Sequence, residues 1–311
     1  MTSFKNYFFY HFKNTFLRLI VLCVFSLLLI ATNMSYYDKY YSPAVFGYLL
    51  GILCTLVPIL ELSGFKKRRN LDSLFSLPVS RKKQALIHYL NGLMHITTVY
   101  TTCFIVMFIY LAVKNNRDAS GYFVAYYLLS LAMASFIYSV FMFVFNQANT
   151  IVDGVIFEIL AAYSLFWLVQ AIRVVFGLEV SGPLYTIYSP FGNDGLFQLV
   201  RDELPFIPWK SLVMCITWVL IGIACMFGYL YTFEKTRVEN VGGISNALFG
   251  YKLYIPLWAS TLLVLGGSFL FIFIYVSMFI GYIIYRRGVK LTMIDYISIV
   301  STIPFLAIGM T

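Results

Sequence analysis

Apolar runs separated by short polar stretches set the layout of this chain. Six runs, at 17–31, 43–63, 85–113, 122–145, 151–175 and 209–233, read as membrane spans. Most hold about 20 residues or more, which at about 1.5 Å per helical residue crosses a hydrocarbon layer of about 30 Å. Ahead of the first run, Phe4, Phe8, Phe12 and Phe16 recur every four positions, with Lys5, Lys13 and Asn14 on other faces. That spacing predicts an interfacial amphipathic helix over 1–16. The first run lacks a small-residue cleavage pattern, so no cleaved signal is expected.

After the sixth run the pattern is harder to parse. A single helix over 253–285 would be about 50 Å long and would carry Arg286, Arg287 and Lys290 to the outer side. A hairpin turning at Gly266-Gly267-Ser268 keeps those charges inside, with arms of about 13 to 18 residues, and is the preferred reading. A last apolar run at 294–310 stops near the end of the sequence, as expected of a shortened version of a longer relative. The fold class expected is therefore an all-α polytopic membrane protein forming one transmembrane domain. It comprises the interfacial helix 1–16, a six-span core over 17–233 and a hydrophobic extension over 234–311.

Composition agrees: 61% of residues are hydrophobic, 19% aromatic and only 11% charged. No polar segment is long enough to build a soluble core, and no Gly-rich loop ending in Gly-Lys-Ser/Thr is present to cradle a nucleotide phosphate. The net charge of +9 does not point to nucleic acid, because the basic residues flank spans. With the N-terminus inside, the inner side takes the N-terminal residues, the 66–83 loop, Lys235, Arg237 and Lys252. The outer side keeps Lys39, Lys114, Arg117, Arg173, Arg201 and Lys210, so the positive-inside rule favours a cytoplasmic N-terminus in a plasma membrane. Cys23, Cys54, Cys103, Cys215 and Cys225 all lie in apolar runs without a Cys-x-x-Cys pair and read as small buried hydrophobes.

The most distinctive polar stretch is the loop over 64–84. Lys66-Lys67-Arg68-Arg69 and Arg81-Lys82-Lys83 bracket a short turn in which Asn70 can cap a helix. Leu71, Leu74 and Phe75 then share one face, and Pro78 ends the helix. So short a helix must pack on something, either lipid headgroups or a cytosolic partner.

The order of an acidic residue closing a span, a basic run, and the phrase from Leu71 to Lys82 resembles the first cytoplasmic loop of ABC-transporter permeases of the type-2 exporter class. The segment from Glu234 to Gly242 also resembles the stretch after the sixth span in relatives from Gram-positive bacteria. The resemblance implies that Leu71, Asp72, Leu74, Phe75, Leu77, Pro78 and Arg81 form a coupling helix docking on a cytosolic ATPase. Glu61, which closes the second span beside the basic run, is expected to make a local ion pair that positions the loop, with Arg68 and Arg69 as loop-positioning residues, and the resemblance implies that the 176–208 segment shapes an external gate. It further implies a membrane permease of an ATP-driven exporter working as a homodimer or heterodimer, with ATP and Mg bound by the ATPase partner. On that reading this chain is not an enzyme by itself and holds no cofactor. The aromatic-rich spans suit an amphipathic peptide or lipid-like cargo, although aromatics are also ordinary membrane filler. An intramembrane enzyme and a secondary transporter stay open as alternatives; the first needs paired acids or a His/Glu metal constellation on facing spans.

Three polar residues within spans are candidates for the translocation path. Glu158 lies about 10 Å into the fifth span, where an ionised acid costs about 2.5–3.5 kcal/mol. It either lines a substrate path, joins two helices at the translocation interface, or is a satisfied acid packed in the bundle. His95 and Asn91 share a face of the third span with His88 at i, i+3, i+7 spacing. Two histidines without a third convergent ligand make a weak case for metal, and the expected role is hydrogen bonding between helices.

Overall fold

The computed structural model describes residues 2–40, 44–67, 79–113, 120–175, 209–236, 239, 241–243, 245, 247–266, 271–286 and 288–303. Among these there are nine α-helices and no strand. They are α1 (Thr2–Tyr40), α2 (Ala44–Leu62), α3 (Arg81–Val113), α4 (Ser120–Asn146), α5 (Ile151–Val175), α6 (Trp209–Glu234), α7 (Leu253–Gly266), α8 (Phe271–Arg286) and α9 (Met293–Val300). Five of these, α1, α2, α3, α4 and α6, hold segments long and apolar enough to cross a membrane, and α5 is an unbroken helix of 25 residues. The chain is a polytopic helical membrane protein. Arg68, Arg69, Leu71, Asp72, Leu74, Phe75, Leu77 and Pro78, together with the 176–208 segment, lie outside the described residues.

The surface is inverted relative to a water-soluble bundle, as a hydrocarbon solvent requires. Leu17, Leu28, Ile109, Leu128 and Leu220 point outward, while Glu61, Gln84, His88, Asn91, His95 and Glu158 are buried. α4 lies at the centre, against α2 on one side and α6 on the other. Its contact with α6 is backbone-close. A methyl group on Gly222 would meet Phe136 at 2.5 Å from Cβ, 2.7 Å from Cα and 2.8 Å from the carbonyl oxygen. Small residues at such crossings replace the hydrophobic driving force that lipid removes.

The N-terminal region departs from expectation. α1 runs without a break through residues 16 and 17, so the expected interfacial helix and first span are one helix. Its buried stripe is Tyr7, Thr15, Leu19, Leu22, Ser26 and Ile30, whereas Phe16 is half exposed. Phenylalanines at i+4 spacing fit a headgroup layer and a lipid-facing helix flank equally well, and the polar stripe beside them decides between the two.

Beyond α6 the chain turns at Gly242, whose φ of +83° suits a residue without Cβ, and Gly242 N–H donates to Asn149 O at 3.1 Å. α7 and α8 then form an antiparallel pair. Tyr251 meets Tyr285 with ring centroids 4.8 Å apart, and Ile255 packs at Gly281. Tyr285 OH returns to donate to Ser245 O at 2.6 Å, so both ends of the pair sit beside the α4–α5 turn. Arg286 closes the following turn with a two-point contact to Asp295, at 3.0 and 2.8 Å, inside the Thr292/Asp295 capping box that starts α9.

The α4–α6 crossing makes a direct prediction. Gly222→Ala should lower the thermal midpoint of the detergent-purified protein through about 1–3 kcal/mol of overpacking. Gly281→Ala, whose new methyl would find Ile255 no nearer than 3.8 Å, should leave the midpoint nearly unchanged. Equal midpoints for the two variants would contradict the crossing.

Candidate functional site: a histidine and glutamate cluster joining three helices

Glu61 occupies the last turn of α2 and is 4% exposed. The sequence suggests that it pairs with the neighbouring basic loop, but the structure turns it inward. Its Oε2 lies 2.8 Å from His11 Nε2 and 3.2 Å from His88 Nδ1. Its Oε1 accepts from Asn91 Nδ2 at 2.9 Å and stands 3.8 Å from His95 Nδ1. The chain has three histidines, and all of them meet at this carboxylate.

Each helix supplies its part through its own periodicity. α3 presents Gln84, His88, Asn91 and His95 on one buried face. α1 presents Tyr7, His11 and Thr15 one turn apart. Thr15 Oγ1 accepts from Asn91 Nδ2 at 3.1 Å while its own proton serves the carbonyls of His11 and Phe12. Tyr7 OH lies 3.4 Å from His88 Nε2. A neutral His88 that donates from Nδ1 to Glu61 accepts from Tyr7 at Nε2, which satisfies both nitrogens. His95 is held differently, with Nδ1 2.8 Å from Asn91 O and Nε2 3.4 Å from Thr15 O. One turn above, Arg18 donates to Leu60 O at 2.9 Å and ties α1 to the end of α2.

Glu61 stands in the last turn of α2 and takes its three side-chain bonds from two other helices, so α1, α2 and α3 are tied together at this one acid. Phe65 caps the site, its ring edge-on to His88 at 4.7 Å and to Phe233 of α6 at 5.0 Å.

The basic loop is mounted just beyond the cluster. Lys66 is buried and donates from Nζ to Asn146 O at 3.1 Å and Ala148 O at 2.5 Å, at the carbonyl end of α4 where a cation complements the helix dipole. At the far end of the loop, Arg81 donates to Thr236 O at 2.7 Å and Glu234 O at 3.3 Å at the end of α6, and Lys82 pairs with Glu234 at 3.2 Å. Lys66 therefore belongs to the bundle rather than to the solvated charge run the sequence suggests.

The three translocation-path candidates do not form one site. His95 and Asn91 belong to the Glu61 cluster, whereas Glu158 sits in α5 with Oε1 buried and without a hydrogen bond among the described residues. The expectation that the α3 histidines lack a convergent ligand is overturned, because His11 and Glu61 arrive from two other helices. Sequence reasoning missed His11, Thr15 and Tyr7. The available signal was their i+4 spacing, 7, 11 and 15, which defines a polar stripe on α1. No family model, curated protein or solved structure matches this chain.

A double-mutant cycle on His11→Ala and Glu61→Gln tests the cluster. Each change alone should lower thermal stability in detergent, and the pair should lose less than the sum by about 0.5–3 kcal/mol. Strict additivity would mean that the two side chains do not meet.

Proposed function

We propose that this protein is the membrane-spanning permease subunit of an ATP-driven exporter, working with separate cytosolic ATPase subunits and a second permease in a homodimer or heterodimer. The observation that carries the reading is the way the basic loop is held. Its two ends are fixed to the carbonyl ends of different helices, Lys66 on α4 and Arg81 on α6, while the Glu61 cluster locks α1, α2 and α3 directly behind it. A loop that transmits force from a nucleotide-driven partner needs such stiff attachment to several spans, and a loop resting in headgroups does not. The resemblance of the Leu71 to Lys82 phrase to exporter coupling helices supplies the partner class.

The ends that carry Lys66, Arg81, Lys235, Lys252 and Arg286 gather at one end of the bundle. By the positive-inside rule that end faces the cytoplasm, with the N-terminus. An intramembrane enzyme built on the Glu61 cluster is disfavoured by access. The side chains of Glu61 and His88 are 2% and 3% exposed, so a substrate cannot reach them without prior separation of the helices.

Two experiments test this reading. In a cysteine-free background, single cysteines at Asn116 and Asn193 should react with a membrane-impermeant thiol reagent in intact cells and one at Asn70 should not; labelling at Asn70 would reverse the orientation. Affinity purification from native membranes in mild detergent should recover a Walker-loop ATPase with the wild-type chain. Leu74→Asp should lose that subunit, because a charge buried in a protein groove costs several kcal/mol, and Ser76→Asp should keep it. Wild-type protein that recovers no nucleotide-hydrolysing subunit, or Leu74→Asp that recovers it in full, would refute the proposal.

A further inference from the structure

We infer that His11, Glu61 and His88 form a binding site for a divalent transition-metal ion of the zinc class, joining α1, α2 and α3 and leaving one coordination position open. The donor atoms, His11 Nε2, Glu61 Oε2 and His88 Nδ1, lie within 4.8 Å of one another. Two of the three edges are 2.8 and 3.2 Å. Ligands about 2.0–2.1 Å from a tetrahedral Zn²⁺ stand about 3.3 Å apart, so closing the third edge takes a side-chain adjustment of no more than about 1.5 Å. Two imidazoles and one carboxylate are donors that suit zinc and exclude Mg²⁺ and Ca²⁺, which take oxygen ligands.

The surroundings already have the form of an outer coordination shell. Asn91 Nδ2 holds Glu61 Oε1, leaving Oε2 directed at the two imidazoles. Tyr7 OH faces the far nitrogen of His88, so the ring can ligate through Nδ1 and place its N–H on the Tyr7 oxygen by a change of tautomer. His95 is excluded as a ligand because both its nitrogens lie against carbonyl oxygens. His11 is the most accessible of the three ligands, its side chain 16% exposed while its partners are nearly closed. The ion would tie α1 to the two helices that carry the basic loop. This inference stands apart from the exporter reading, since metal binding is measured on the isolated chain.

The test is metal loading of the full chain, purified in detergent through a tag that contains no histidine and stripped with EDTA. After incubation with ZnCl₂ and gel filtration, elemental analysis should find about one Zn²⁺ per chain, and Co²⁺ should give the intense visible bands of a tetrahedral site. His88→Ala should weaken Zn²⁺ binding in competition with a chromophoric chelator by at least about tenfold, and His95→Ala should not. His11→Cys keeps a donor at the site and should add a thiolate-to-Co²⁺ charge-transfer band, a signal that a hydrogen-bonding role cannot produce. The inference is overturned if Zn²⁺ loading is far below one per chain. It is equally overturned if His88→Ala and His95→Ala bind alike, or if monodisperse His11→Cys protein shows no charge-transfer band.

Discussion

Glu61 brings a carboxylate into the interior of a helical membrane protein, where donors must replace the water it gives up, and the cluster is built around that constraint. No single helix could satisfy it. Asn91 and His88 come from α3 and His11 from α1, so the three helices can pack here only in the register that brings all three donors to one acid. Because the donors share one acceptor group, removal of one of them alters the surroundings of the others. The Phe65 ring over His88 extends the same junction toward the basic loop, and the Arg18 contact to Leu60 O extends it along α1 away from that loop.

From that junction the rest of the basic end follows. Lys66 lies five residues beyond Glu61 and reaches carbonyls that α4 leaves unpaired at its terminus, and Arg81 does the same for α6. Ser245 Oγ donates to Gln147 O, and Tyr285 OH to Ser245 O, so the α7–α8 pair is hung from the same α4–α5 turn. Helix ends in a bundle expose carbonyls, and this chain covers several of them with side chains from distant segments. The ends of α4 and α6 and the α7–α8 pair are thus joined through side chains at the end of the molecule that carries the basic loop.

Much of this helical layout was legible in the sequence, because hydropathy reports directly on burial in lipid. The run at 151–175 coincides with α5, and the runs at 43–63, 85–113, 122–145 and 209–233 end within a few residues of helix ends, whereas the first run is part of the longer α1 and the run at 294–310 outlasts α9, which ends at Val300. α7 ends at Gly266 and α8 begins at Phe271, so the 253–285 run holds two helices rather than one, and Gly267 and Ser268 lie outside the described residues. The site was less legible for a physical reason. Glu61 and His11 are fifty residues apart, and a contact of that range leaves no trace in local periodicity. On α1 the phenylalanine spacing was conspicuous and the polar stripe at 7, 11 and 15 was not, although in lipid the polar stripe marks the buried face. Glu61 was read as belonging to the loop beside it because sequence proximity favoured the basic run, whereas burial turned it toward imidazoles and an amide.

The junction of α1 with α2 is the feature on which the cluster and the metal site both depend. It is tested most directly by cross-linking Arg18→Cys to Leu60→Cys in native membranes, in a background lacking Cys23, Cys54, Cys103, Cys215 and Cys225. Arg18 Nη1 reaches Leu60 O at 2.9 Å across the full length of its side chain, so a bifunctional thiol reagent as long as an extended arginine side chain should join the two positions in high yield. Failure to cross-link this pair, with both cysteines shown to be reactive, would mean that the N-terminal half of α1 lies apart from α2 and that the Glu61 cluster does not form.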